Sequence, residues 1–250
     1  MGERNRIKTN IIQNQLFVEV YLSSKPLVFL FDTGAQISCL RQSCLQFADK
    51  KTYVKSVKAG GTAGKVSQIN ESIGGGQKLA RLDGLLGWDI ISRYRWDFDK
   101  NKNLLSVAGG RVENSLNNLS WNVFALIDIT LNGHGCVAAF DSGHTESMLA
   151  PSALNFVKGV SSVTPVIDRS VGFDGVSEEK ALCVGEAEVG IASAVIKLTN
   201  ILLYERPLYA IADKNIVGLL GADIFKNKSW TLDFPCANFC CIRKDGNNCR

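Results

Sequence analysis

The chain has 250 residues, with 28 Lys and Arg against 24 Asp and Glu, for a formal net charge of +4. Hydrophobic residues make up 46% and charged residues 21%, the balance of a globular protein with a real core and one large or two small domains. So mild a charge, with no dense basic block, leaves no case for nucleic acid or an anionic membrane surface as partner. Apolar runs as short as Pro26 to Phe31 are too short for a membrane-spanning helix.

The first ten residues, MGERNRIKTN, are charged and lack an apolar core, so no signal peptide is expected. Gly2 does not make a myristoylation site, because position 6 is Arg rather than Ser or Thr. From Phe17 the chain alternates as a strand, turns at Ser23-Ser24-Lys25, and returns as an apolar strand ending in Phe31-Asp32-Thr33-Gly34. A short helix is expected after Leu40. Ala59 to Gly64 (AGGTAG) and Ile73 to Gly76 read as hairpin segments. Gly84-Leu85-Leu86-Gly87-Trp88-Asp89-Ile90 follows, with a short helix over Trp88 to Tyr94 and strand from Trp96 to Val107.

The polar stretch Gly109 to Ser120 (GGRVENSLNNLS) reads as a seam. Beyond it the pattern repeats. Leu126 to Leu149 (LIDITLNGHGCVAAFDSGHTESML) aligns without a gap on Phe17 to Leu40, and its return strand ends in Phe140-Asp141-Ser142-Gly143. A short helix is expected after Pro151. Val171 to Gly175 and the alternating run Ala187 to Ile196 read as hairpins. Gly218-Leu219-Leu220-Gly221-Ala222-Asp223-Ile224 repeats the second motif, followed by a short helix to Lys226 and strand from Trp230 to Ile242. The extra length of the second unit lies between its two motifs. The expected division is a first lobe over 1–112, a linker over 113–120 and a second lobe over 121–250.

Eight cysteines, at 39, 44, 136, 183, 236, 240, 241 and 249, form no C-x-x-C pair and fit no standard zinc spacing. Free thiols in a reducing compartment are the expectation, with a disulfide or metal knot in the tail as the alternative. With no signal peptide, this gives a cytoplasmic reading. Only His134 and His144 are present, which excludes a His-rich metal centre. Ala59 to Lys65 is not a phosphate loop, since Ala59 and Val66 stand where Gly and Ser or Thr are needed. No Gly-x-Ser-x-Gly elbow supports a serine hydrolase. Asp89 and Asp223 read as helix N-terminal residues favoured by the dipole. Trp96 and Trp230 read as core, and His134 as a solvated turn residue.

A carboxylate at the end of an apolar strand is costly to bury unless it is hydrogen-bonded or shared. Glycine permits the tight turn and lets N–H groups approach it. A small hydroxyl next to it can bond neighbouring backbone and brace the turn. Two such loops meeting at a pseudo-dyad would bring Asp32 and Asp141 together. Like charges so close cannot both ionise, so they share a proton. Such a pair can deprotonate a water held between them and protonate a leaving group.

Asp32-Thr33-Gly34-Ala35 followed by Gly84 to Ile90 resembles the retropepsin-like, clan AA aspartic peptidases, and the resemblance covers nearly the whole chain, once per unit. It implies an all-β protein of two small acid-protease β-barrel lobes related by a pseudo-two-fold, as in the two-lobed pepsin-like enzymes, with a few short helices. It implies an aspartic endopeptidase in which Asp32 and Asp141 are the catalytic pair. Loop support then comes from Thr33, Gly34, Ala35, Ser142, Gly143 and His144. The flap and substrate-binding candidates are Gly60, Gly61 and Thr62 in the first lobe and Gly172, Phe173, Asp174 and Gly175 in the second. The substrate would be an extended polypeptide, without metal or cofactor, and the enzyme a monomer.

Unit two departs from the pattern. His144 stands where unit one has Ala35, and Glu146 where it has Ile37. A charged His144 would favour the ionised carboxylate and lower the apparent pKa of the dyad. These departures leave open a weak or inactive pseudo-protease that keeps the cleft as a peptide-binding module. A third reading is a scaffold or processing fragment active only within a larger assembly.

Overall fold

The computed structural model describes residues 6–22, 24–47, 82–108, 116–122, 124–157, 164–172, 175–204 and 216–242. The strands of the first half are β1 (Arg6–Ile12), β2 (Gln15–Leu22), β3 (Lys25–Phe31), β4 (Cys39–Leu40), β5 (Gly84–Leu86), β6 (Arg95–Asp99) and β7 (Leu104–Ala108). Those of the second are β8 (Leu119–Asn122), β9 (Phe124–Leu131), β10 (His134–Phe140), β11 (Met148–Leu149), β12 (Thr164–Gly172), β13 (Gly175–Ile191), β14 (Ala194–Tyr204), β15 (Ile216–Leu220), β16 (Ser229–Asp233) and β17 (Asn238–Ile242). One α-helical turn, α1 (Trp88–Ile91), is present among the described residues. Short 3-10 turns at Gln42–Phe47, Pro151–Asn155 and Ala222–Phe225 stand where short helices are expected. None of these helices is long and apolar enough to cross a membrane.

Alternation builds the strands. Along β14 buried and exposed side chains alternate from Ala194 to Thr199, so one face packs inward and the other meets water. Two-residue turns join the hairpins at Gln13-Asn14 and Asn132-Gly133, all four residues with positive φ. Strand β1 lies ahead of the first strand that the alternation predicts. Its sequence RIKTNII puts exposed Arg6, Lys8 and Asn10 between half-buried residues, so its charge disguises it as a tail.

Two sheets result. The first runs β17-β16-β6-β7-β1-β2-β3-β5-β4 and the second β12-β13-β14-β11-β15-β10-β9-β8. Strand β9 also pairs β13 through Leu131↔Val189 and Thr130↔Gly190, which curls the second sheet towards a barrel. In each half the apolar Gly-Leu-Leu strand lies parallel to the strand ending at the Asp motif, β5 on β3 and β15 on β10. On its other side it pairs antiparallel with a two-residue strand, β4 or β11. Both strands are buried throughout, as central parallel strands are. The molecule is an all-β, two-lobed, protease-like fold.

The two halves are joined by strand exchange. The last hairpin, β16–β17, pairs into the first sheet through β16–β6, with Trp230 opposite Phe98. It brings Trp230 between the residues that precede the two Asp motifs. Trp230 lies 5.8 Å from Phe31 and 4.7 Å from Phe225, which in turn is 5.5 Å from Phe140. One aromatic core therefore underlies both motif loops. Residues 119 and 120, expected in the linker, begin β8. Asn118 accepts from the Phe239 N–H at 2.9 Å and donates to the Phe239 carbonyl at 2.8 Å, fastening the connection to β17.

The cysteine expectation needs one correction. Cys240 is disulfide-bonded, whereas Cys39, Cys136, Cys183 and Cys241 are free thiols. Strand pairing places Cys240 opposite Thr231, at the middle of the β16–β17 hairpin, a position that cysteine spacing alone does not reveal. Burial pushes the Cys39 thiol up to about 11 and the Cys241 thiol up to about 12, so both stay protonated and unreactive.

Candidate active site

Each Asp is delivered by the end of a buried strand, β3 or β10, and is anchored by the adjacent Gly-Leu-Leu strand. The Asp32 N–H donates to the Leu86 carbonyl at 3.0 Å and the Asp141 N–H to the Leu220 carbonyl at 2.9 Å. One turn later the Trp88 N–H reaches the Ala35 carbonyl and the Ala222 N–H the His144 carbonyl, both at 2.7 Å. The repeated motif thus clamps both ends of each loop.

The structure brings Asp32 and Asp141 face to face. A Cβ added to Gly34 would lie 2.3 Å from Asp141 Cγ, and one added to Gly143 would lie 2.5 Å from Asp32 Cγ. Each carboxylate therefore rests on the other loop's glycine, and only glycine leaves that space. The Gly34 and Ala35 N–H groups donate to Asp32 Oδ1 at 2.9 and 3.0 Å. The Gly143 N–H donates to Asp141 Oδ1 at 2.9 Å, but the His144 N–H goes to the Asp141 backbone carbonyl at 3.1 Å. The two halves are thus unequal where Ala35 and His144 differ. Burial, followed by the charge of Asp141, holds Asp32 well above the ordinary carboxylate range, against the pull of its two N–H donors.

Thr33 and Ser142 do not brace their own turns. Each hydroxyl crosses to the other loop. Thr33 Oγ1 donates to the Phe140 carbonyl at 3.1 Å and accepts from the Ser142 N–H at 2.8 Å. Ser142 Oγ donates to the Phe31 carbonyl at 2.8 Å and accepts from the Thr33 N–H at 3.0 Å. This reciprocal set is almost fully buried, with Thr33 and Ser142 at 0% and 1% exposure. It fixes the separation of the loops and hence of the carboxylates.

Asp89 and Asp223 do lie in first turns after the second motif, and they have a further task. The Ser38 N–H and hydroxyl donate to Asp89 Oδ1 at 2.7 and 2.6 Å, and Ser38 Oγ accepts from the Gly87 N–H at 2.9 Å. Ser147 repeats this with Asp223, at 2.9 Å from its N–H and 2.5 Å from its hydroxyl, and accepts from the Gly221 N–H at 3.0 Å. Sequence reasoning passes over Ser38 and Ser147. The signal is there, since both copies keep Ser at the same place after the motif Asp and an Asp after Gly-Leu-Leu-Gly. Ser38→Ala is expected to strand the Gly87 N–H and cost about 1–3 kcal/mol, measured by urea unfolding.

His144 turns away from the pair. Its Nδ1 lies 2.7 Å from the Glu146 carbonyl. Burial raises the Asp223 carboxyl, against the hydrogen bonds from Ser147 and, least of all, the charge of His144. Gln15 adds a contact across the halves, its Nε2 donating to the Gly143 carbonyl. Of the flap candidates, Gly60, Gly61, Thr62, Phe173 and Asp174 lie outside the described residues. Gly172 and Gly175 close the β12–β13 hairpin as directly paired residues. Tyr204 ties that hairpin to the lobe by donating to Asp168.

The fold and the paired loops define a two-lobed, all-β, protease-like class. No protein-family model matches the chain, and no curated protein matches it. Among solved structures, the EIAV protease complexed with the inhibitor HBY-793 is distantly similar, with 18% identity and a TM-score of 0.30 over 48% of this chain and 93% of that one.

Proposed function

We propose that the protein is an aspartic endopeptidase whose Asp32 and Asp141 act together on a bound water. The observation that supports this reading is the mutual seating of each carboxylate on the other loop's glycine, with one of the pair raised by burial.

The pair holds one proton between two carboxylates. The ionised member takes a proton from the water as its oxygen adds to the scissile carbonyl carbon. The protonated member gives its proton to the carbonyl oxygen. The tetrahedral diol then collapses: one carboxyl of the dyad protonates the nitrogen, the C–N bond breaks, and a diol hydroxyl gives its proton to the other carboxylate as the product carboxyl group forms, which restores the dyad. No covalent intermediate forms. An extended peptide would lie across the dyad beneath the β12–β13 hairpin, in a single chain that supplies both carboxylates.

Cleavage of a diverse peptide library from pH 3 to 8, with cut sites read by mass spectrometry, tests the reading. Wild type is expected to cut at acidic pH and Asp141→Asn to lose about 10²–10⁴-fold in kcat/KM. Equal cleavage by both proteins would remove Asp141 from the chemistry. Silence from both, with the fold intact, would favour the peptide-binding alternative.

A further inference from the structure

Behind the Asp141 loop lies a groove of about 800 Å³, walled on one side by consecutive residues 194–201 of β14 and on the other by residues 226–228. We propose that this groove is a docking site, separate from the dyad, for an extended acidic peptide segment that pairs with the open edge of β14.

Two observations support that occupant, and a third marks where the edge stops. First, the edge is unpaired among the described residues. Strand β14 pairs β13 from Ala194 to Tyr204, but on its other side β11 reaches only Leu202 and Leu203. Between 194 and 201, alternate residues direct both N–H and C=O away from β13, with no strand to receive them among the described residues. Second, the rim charge favours an acidic guest. Lys226 and Lys228 form no ion pair among the described residues, whereas Lys197 is held by Glu186 at 2.7 Å. The lining holds three lysines, 197, 226 and 228, against two acids, Glu146 and Asp223, and both Asp223 oxygens accept from Ser147. Third, Asn14, Asn200 and Asn227 all line the groove and all have positive φ, at 69°, 57° and 58°. Asparagine is among the few residues that accept that backbone. Asn200 does so inside β14, between the paired residues Thr199 and Ile201, and it ends the regular part of the edge at Thr199.

An incoming strand would take its affinity from main-chain bonds to β14 and its preference for acidic residues from Lys226 and Lys228. The segment belongs to a partner protein and is not the peptide cleaved at the dyad.

The test uses the full chain carrying Asp32→Asn, so that binding is read without cleavage and stands or falls apart from the peptidase reading. Three labelled twelve-residue peptides are titrated by fluorescence anisotropy. One alternates Glu with Val and Thr, one has Lys in place of Glu, and one is acidic with Pro at alternate positions. The acidic peptide is expected to bind at least tenfold more tightly than either control and to shift the amide resonances of residues 194–201. Lys226→Glu with Lys228→Glu is expected to weaken it about tenfold and to reverse the charge preference. Equal binding of the Pro-interrupted peptide, or of a sulfated polysaccharide without amide shifts, would mean a mere basic patch and overturn the proposal. Displacement by an extended peptide that shifts the Asp141 loop but not residues 194–201 would place the binding in the cleft and overturn it too.

Discussion

Ser142→Ala is expected to destabilise the protein by about 2–5 kcal/mol, a large part of the stability of an ordinary domain. The hydroxyl lost is bonded twice across the lobes, to the Phe31 carbonyl and from the Thr33 N–H. Both partners belong to residues with 0% exposure, so no water replaces it. Each stranded group carries a desolvation cost of about 1–3 kcal/mol. Ser142→Thr is the control, because Thr33 shows that a threonine fits the equivalent place in the other loop. It should recover most of the loss. Chemical unfolding of the three proteins measures the difference. A Ser142→Ala stability within 0.5 kcal/mol of wild type, roughly the size of a surface substitution, would show that the crossed bonds do not hold the lobes together.

Asp32→Asn is expected to abolish turnover and, at neutral pH, to raise the melting temperature. Burial raises the Asp32 carboxyl in the folded chain above its ordinary value of 3.8. The folded state therefore binds this proton more tightly than the unfolded chain does. The stability it contributes is complete below about pH 4 and is lost as pH rises through the raised folded value. Asparagine keeps an oxygen for the Gly34 and Ala35 N–H groups and never ionises. The stabilisation by Asp32→Asn should thus be near zero at pH 3.5 and grow towards pH 7. Calorimetric melts across that range decide it. A variant less stable than wild type at pH 7 would mean that Asp32 is ionised there without penalty.

Much of the site was legible because its chemistry is local. A buried carboxylate loop needs Asp, a small hydroxyl and Gly in succession, and the sequence carries that run twice. The Gly-Leu-Leu-Gly segments were legible because they recur, although the need for their first glycine is tertiary. The ideal Cβ positions on Gly84 and Gly218 fall 2.4 and 2.2 Å from the backbone oxygens of Cys39 and Met148, a closeness no other residue allows. Strand β1 is not legible, since three of its seven side chains face water and two of those, Arg6 and Lys8, carry charge.

What the sequence determined by itself was the all-β class, the short helical turns, and the two Asp loops with the Gly-Leu-Leu-Gly run that follows each. These follow from periodicity and turn chemistry, which act over a few residues. What the tertiary structure decided was everything that needs partners far apart in the chain. Thr33 and Ser142 brace each other's loops rather than their own. Strands β16 and β17 complete the first half's sheet and set Trp230 beneath both motifs. Ser38 and Ser147 engage Asp89 and Asp223, and His144 turns to Glu146. Side-chain direction and strand exchange depend on packing over the whole chain; the matched spacing of Ser38 and Ser147 marks those residues but does not state what they bond.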